Sequence, residues 1–169
     1  MFASVRCYYV HYGTPRELAA RVGADFAHRL SKRPGFVAYD FLDDGDGEAM
    51  SISIFQEPSQ AHDSRELARR WTEEYLPDME LTITDSMHGE VVESRTRGGR
   101  PRWAIVRGHR GTSAAMLADA AMALEGVVAC RVIDVGGGEL LTVGLLTCRV
   151  NAEVGAGEIL VSREAGVLT

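Results

Sequence analysis

Apolar and polar positions along this chain change period several times, and each change marks an element. Val5-Arg6-Cys7-Tyr8-Tyr9-Val10-His11 is rich in β-formers and predicts a strand, closed by Gly13. Thr14-Pro15-Arg16-Glu17 then places Thr at the N-cap, Pro in the first turn and Glu three residues on, a capping box. Leu18, Val22, Phe26 and Leu30 follow at four-residue spacing, the buried stripe of an amphipathic helix that Pro34-Gly35 stops. Residues 36–42 and 49–55 flank Asp43-Asp44-Gly45-Asp46-Gly47, a hairpin turn rich in residues that tolerate positive φ. In the first strand Phe36, Ala38 and Leu42 are expected on one face and Val37, Tyr39 and Phe41 on the other. In the second, Ile52 and Ile54 oppose Ser51, Ser53 and Phe55. Apolar groups on both faces predict that both are covered, one by helices and the other by a second sheet. A helix from about Pro58 to Leu76, with Leu67, Ala68, Trp71 and Tyr75 as its stripe, and a strand over 88–95 complete the order β-α-β-β-α-β. That order is a ferredoxin-like unit.

The pattern then returns in shortened form. Residues 35–56 and 126–147 align without a gap, with 7 of 22 positions identical. The matching His-x-Gly-Thr segments (His11 and His109) lie 98 residues apart, the hairpins 91 and the last strands 68. The first drop removes about two helical turns; the second removes enough for a whole helix and its loop. The expected second unit has a strand from Trp103, a short Ala-rich helix capped by Thr112, a hairpin around Gly136-Gly137-Gly138 and a strand at 158–163. The predicted fold class is therefore α+β: a complete ferredoxin-like unit over 1–95, a linker over 96–101, and a degenerate unit over 102–169 that lacks its second helix. A single substantial pocket is expected in the first half, between the sheet and the helices that carry Phe26 and Trp71.

Composition narrows the picture a little. With 46% hydrophobic and 25% charged residues the chain reads as soluble and globular. A net charge of −6 offers no basic face for nucleic acid. No apolar run approaches a membrane span, and Met1-Phe2-Ala3 opens directly into a strand pattern without a signal peptide. Cys7, Cys130 and Cys148 are odd in number and far apart, which fits a reducing cytoplasm. The five histidines lack ligand spacing, so no metal is expected. Gly136-Gly137-Gly138 aligns with the first hairpin turn and reads as a turn, not a phosphate loop.

Trp71 and Tyr75 share a helix face, and Ser51 and Ser53 put two hydroxyls on one sheet face beside Phe55. They read either as core packing or as a mainly apolar cavity with a few polar groups, such as small flat ligands use.

Pro34-Gly35-Phe36, the acidic glycine turn and Ser51-Ile52-Ser53-Ile54-Phe55-Gln56-Glu57 resemble the antibiotic biosynthesis monooxygenase family of the dimeric α+β barrel group. The resemblance covers residues 2–95 and, more weakly, 103–163. It implies two ferredoxin-like units packed sheet to sheet, here within one chain as an intramolecular α+β barrel. Family members include cofactor-independent oxygenases of anthrone-type polyketides, quinol oxygenases and haem-degrading enzymes. Where the anthrone oxygenases carry Asn, Trp and Tyr, this chain has Ser51, Phe55 and Ala61. Where the haem-degrading branch carries Asn, Trp and His, it has Arg6, Asp63 and Glu73, which disfavours haem degradation.

The resemblance implies that Arg6, Ser51, Phe55 and the Asp63–Leu67–Trp71 stripe face the cavity. The expected activity is a monooxygenase without metal or other cofactor, acting on an aromatic, polyketide-type phenol, anthrone or quinol. Arg6 would stabilise the substrate anion, Ser51 and Tyr75 would orient it, and Trp71 and Phe55 would stack on its rings. Tyr8, Ser53, Asp63, Leu67 and His88 would complete the binding surface. A non-catalytic binding or accessory protein is the alternative, and a cyclase or isomerase a further one. The expected partner is a small aromatic substrate, with neither nucleic acid nor membrane; a homodimer of such chains stays open.

Overall fold

The computed structural model describes residues 1–43 and 47–148, and the strand course of 161–164. Two compact units emerge among the described residues, Met1–His88 and those that follow from Gly89, and the boundary falls inside a strand. The first unit contains β1 (Phe2–Val10), α1 (Pro15–Arg21), a π-helical turn (Val22–Phe26), α2 (Ala27–Ser31), β2 (Phe36–Asp43), β3 (Glu48–Phe55) and α3 (Pro58–Tyr75). It ends in the first half of β4 (Leu81–Thr96).

β3 lies between β1 and β2, antiparallel to both, so Arg6, Ser51 and Phe41 stand in one row across the sheet. The helices cover one face and bury Leu18, Val22, Phe26, Leu30 and Trp71 against Tyr39, Phe41 and Phe55. Ala3, Val5, Leu42, Met50, Ile52 and Ile54, on the opposite face, are equally buried, as apolar residues on both sides require.

The first helix starts as expected: Thr14 Oγ1 accepts from the Glu17 amide at 3.1 Å, and Glu17 Oε2 accepts from the Thr14 amide at 2.8 Å. It does not continue as one α-helix. Residues four apart drift by about 40° per step on an α-helix, so Leu30 would sit roughly 120° round from Leu18. All four stripe residues are nevertheless buried, because the wider π turn at Val22–Phe26 absorbs the drift.

A second departure concerns β2. Its register shifts between Phe36 and Ala38, a bulge that changes the phase of everything before it. Phe36 therefore joins Tyr39 and Phe41 on the helix face, its ring edge-on to Phe55 at 5.9 Å. Val37 is turned out, 41% exposed. Simple alternation put Phe36 on the wrong side.

The second unit contains the rest of β4, then β5 (Trp103–Arg110), α4 (Ala114–Ala123), β6 (Val127–Gly136), β7 (Glu139–Leu146) and β8 (Val161–Glu164). β7 pairs with both β5 and β6, β6 with β4, and β5 with β8. Ser113, not Thr112, caps α4: its Oγ accepts from the Met116 amide at 3.3 Å. No helix lies between β7 and β8 among the described residues. The expected strand at 158–163 is described only from Val161, and the hairpin tip 44–46 lies outside the described residues.

β4 begins at Leu81, seven residues before the expected 88: Leu81-Thr82-Ile83-Thr84 alternates, but Asp85-Ser86 breaks the rhythm and most of the segment is exposed. Among the described residues no helix is long and apolar enough to cross a membrane.

Candidate functional site

Between the helix face of the first sheet and the helices lies a half-enclosed cavity of about 30 Å³. Leu18, Val22 and Phe26 form one wall, Ala68, Trp71, Thr72 and Leu76 a second, and Tyr8, Tyr39 and Phe41 the sheet floor, with Leu81 at the edge. The π turn thus contributes directly to the lining. The rings interlock: Phe26 lies 5.2 Å from Trp71 and 5.8 Å from Tyr39, centroid to centroid.

The floor carries the polarity. Tyr8 and Ser51 share a hydrogen bond of 3.1 Å between their hydroxyls. Burial pushes the Tyr39 phenol well above its ordinary value; Tyr8 adds to this, while Arg6 and the Ser51 hydroxyl pull it back. Tyr39 therefore stays protonated and can donate. Arg6, opposite Ser51 across the strands, is only 8% exposed. No carboxylate pairs with it among the described residues. A buried guanidinium without a counter-charge is costly unless something anionic reaches it.

Trp71 is fixed by its nitrogen. Its indole N–H donates to Asp25 Oδ2 at 2.7 Å, and Arg29 Nε donates to Asp25 Oδ1 at 2.8 Å. These two bonds, Arg29 first, hold the Asp25 carboxyl below its usual range. Asp25 sits inside the π turn, so the irregular turn that lines the cavity also anchors its largest ring.

Of the residues expected at the site, Tyr8 and Trp71 line the cavity, and Ser51 and Arg6 stand behind Tyr8 and Tyr39. The others lie elsewhere. Tyr75 is 40% exposed, and its hydroxyl accepts from Arg29 at 3.0 Å on the surface. Phe55 is buried against Phe36, and Ser53 Oγ reaches the Ser4 carbonyl at 3.5 Å. Asp63 is exposed: Trp71 and Leu67 of the expected stripe face the core, but at its start α3 turns Ala61 and Ser64 inward instead. Leu67 packs on the core beside the cavity without lining it, and His88 is exposed on β4.

Asp25, Tyr39 and Thr72 were not foreseen. Tyr39 shares its face with Phe41 as simple alternation expects, and the structure sets that face against Phe26; Asp25 becomes legible only with the π turn. The lining offers no imidazole, thiol or carboxylate to an iron, and its volume is far below that of a porphyrin. No group of three metal-ligating side chains occurs among the described residues. Burial pushes the Cys130 thiol up to about 11, so it is a core group and not a nucleophile.

No protein-family model matches the chain, and no curated protein does. Solved structures do share its fold. A protein from Fusobacterium nucleatum assigned as a monooxygenase superposes with a TM-score of 0.63 at 10% identity, over 86% of this chain and 75% of that one. A protein assigned as a chlorite dismutase gives 0.60 at 12% identity, over 87% and 79%. An anthrone oxidase-like protein gives 0.51 at 11% identity, over 88% and 73%. At these identities the likeness establishes the α+β, ferredoxin-like fold and nothing finer.

Proposed function

We propose that the first unit is a monooxygenase-like enzyme that binds a small electron-rich phenol, anthrone or quinol and promotes its oxidation by dioxygen without a cofactor. The observation that carries this reading is the buried Arg6, paired with no carboxylate among the described residues, behind the Tyr8 and Tyr39 hydroxyls that floor an aromatic-walled cavity. That arrangement favours an aromatic anion over its neutral acid: rings against Phe26 and Trp71, oxyanion toward the hydroxyls and the guanidinium.

Once deprotonated, the substrate gives an electron to oxygen, and the two radicals join at carbon. For a methylene carbon, loss of water from the hydroperoxide leaves one oxygen atom in the new carbonyl and the other in water. The protein's part is to lower the substrate's pKa, hold the ring and exclude solvent.

The sequence motifs and the fold likeness together support placing the chain as a divergent member of the antibiotic biosynthesis monooxygenase family. We also read its second unit as a duplicate of the first. Supporting this, β6 shifts register between Val127 and Ala129, 91 residues after the shift in β2. Positive φ recurs at the same spacing, at Gly35 and Gly126 and at Gly47 and Gly138.

A second reading draws on the cavity's size. Ligand pockets usually measure about 300–1,000 Å³, and this one holds about two waters. The enzyme reading therefore requires α3 to move away from the π turn when substrate enters. A cavity that never opens would make the unit a non-catalytic scaffold.

An oxygen electrode decides between them. Purified protein with anthrone or a naphthol in air should consume oxygen faster than the substrate alone. Rates equal to the protein-free blank across a panel of electron-rich phenols would overturn the enzyme reading.

A further inference from the structure

We propose that Arg107, Thr142 and His109, on the helix-facing side of the second sheet, form a separate binding site for a small oxyanion, a carboxylate or a phosphate.

Strand register supplies the first argument. Arg107 stands opposite Thr142 as Arg6 stands opposite Ser51, and His109 stands opposite Leu140 as Tyr8 stands opposite Ala49. The second unit thus repeats an arginine facing a hydroxyl, with a polar ring two residues further along the strand. Alternation fixes the side they occupy. Trp103 and Ile105 pack with the α4 core from β5, and Leu140 and Leu146 do so from β7. Neither strand is interrupted in this pairing, so Arg107, His109 and Thr142 share that side.

Unfilled hydrogen-bonding capacity supplies the second. Arg107 Nε and Thr142 Oγ1 are both buried without a hydrogen-bond partner, and Thr142 is 7% exposed. In the first unit the corresponding Ser51 is occupied by Tyr8; here the hydroxyl is left over. Buried polar groups are nearly always satisfied, so two adjacent exceptions mark a place where a partner belongs.

Chemistry then selects the partner. Arg107 offers only donors and Thr142 can donate as well, so the missing group is an acceptor. The guanidinium makes an anionic acceptor the favoured one, since no carboxylate pairs with Arg107 among the described residues. The neighbouring Arg110 is engaged by Glu139 and does not compete. Burial, and then the charge of Arg107, hold the His109 imidazole below its ordinary value. At neutral pH it is an uncharged ring that can donate one further hydrogen bond to the anion.

The site shares no residue with the cavity of the first unit, so the two readings fail separately. The test is an NMR titration of the intact chain with inorganic phosphate and, separately, benzoate, each at constant ionic strength against chloride. A saturable shift of the Arg107 Nε–H signal is expected with at least one anion, and which one saturates assigns the chemistry. Arg107→Gln should weaken binding at least about tenfold. Arg21→Gln, which removes an equal charge from a surface pair with Asp78, should leave it unchanged. Absence of a saturable Arg107 shift with both anions overturns the proposal, whether or not the variant folds. So does equal weakening by the two substitutions, which would mean diffuse charge attraction.

Discussion

Trp71 donates its indole N–H to Asp25 across the space between α3 and the π turn, at 2.7 Å. One bond thereby joins the two helical walls of the cavity and fixes the plane of the ring that a ligand would meet.

Acid should loosen that joint. The folded Asp25 carboxyl titrates below its ordinary value of 3.8, held down by Arg29 and then Trp71. The unfolded chain therefore takes up the proton first, and the stabilisation is complete above about pH 4 and lost as pH falls through the depressed value. Thermal unfolding between pH 2 and 6 should show Asp25→Asn below wild type at pH 6, with the gap closing on acidification. A gap independent of pH would mean that the charge contributes nothing.

Trp71→Ala removes the largest group from the lining. A cost of about 3–5 kcal/mol is expected, as for other buried aromatic truncations. The enlarged cavity is apolar, so indole should restore part of the lost stability in a denaturant titration. No response to indole would mean that the helices collapse into the space.

The two tyrosines should separate under turnover. Tyr8 lines the cavity and bonds Ser51, so Tyr8→Phe should lower the oxidation rate by up to ~10²–10³-fold with binding largely kept. Tyr75 is tied to Arg29 at the surface, and Tyr75→Phe should leave the rate unchanged. Equal losses would place the reacting anion elsewhere.

Gly35 joins the first helical stretch to the sheet at φ +70°, where an added Cβ would meet Gln60 Oε1 at 1.8 Å. That oxygen accepts from the Glu57 amide at 3.0 Å and caps α3. Gly35→Ala should therefore cost about 1–2 kcal/mol for the left-handed backbone and a further ~1 kcal/mol for the displaced cap. Gly137→Ala, also at positive φ but in open space, should cost only the first. Urea midpoints of the two variants measure the difference.

Much of this was legible in the chain. The capping box at Thr14, the Leu18-to-Leu30 stripe, the hairpins and the helix from Pro58 all follow from local spacing, and they locate the cavity beside Phe26 and Trp71. The misses share a cause. A bulge at Val37 and a π turn at Val22–Phe26 each insert a residue's worth of phase, and periodicity cannot reveal a change in its own period. Phe36 was therefore put on the wrong face, and Asp25 was not seen beside Trp71. Asp63 was carried over from a family position, whereas α3 turns Ser64 inward. Cavity size was illegible for a different reason: it depends on how closely the rings interlock, which composition does not state.

The π turn makes chain length a variable of the site. Deleting one residue within 22–26 would let the segment relax to an ordinary α-helix with eleven steps between Leu18 and Leu30, a net rotation of only about 20°. Leu30 would stay in the core, but the wide turn that sets Asp25 beside the indole would be gone. At this point the core accommodates a single deletion, and homologues that read the same apolar stripe with one residue fewer would have to hold their aromatic wall by another means.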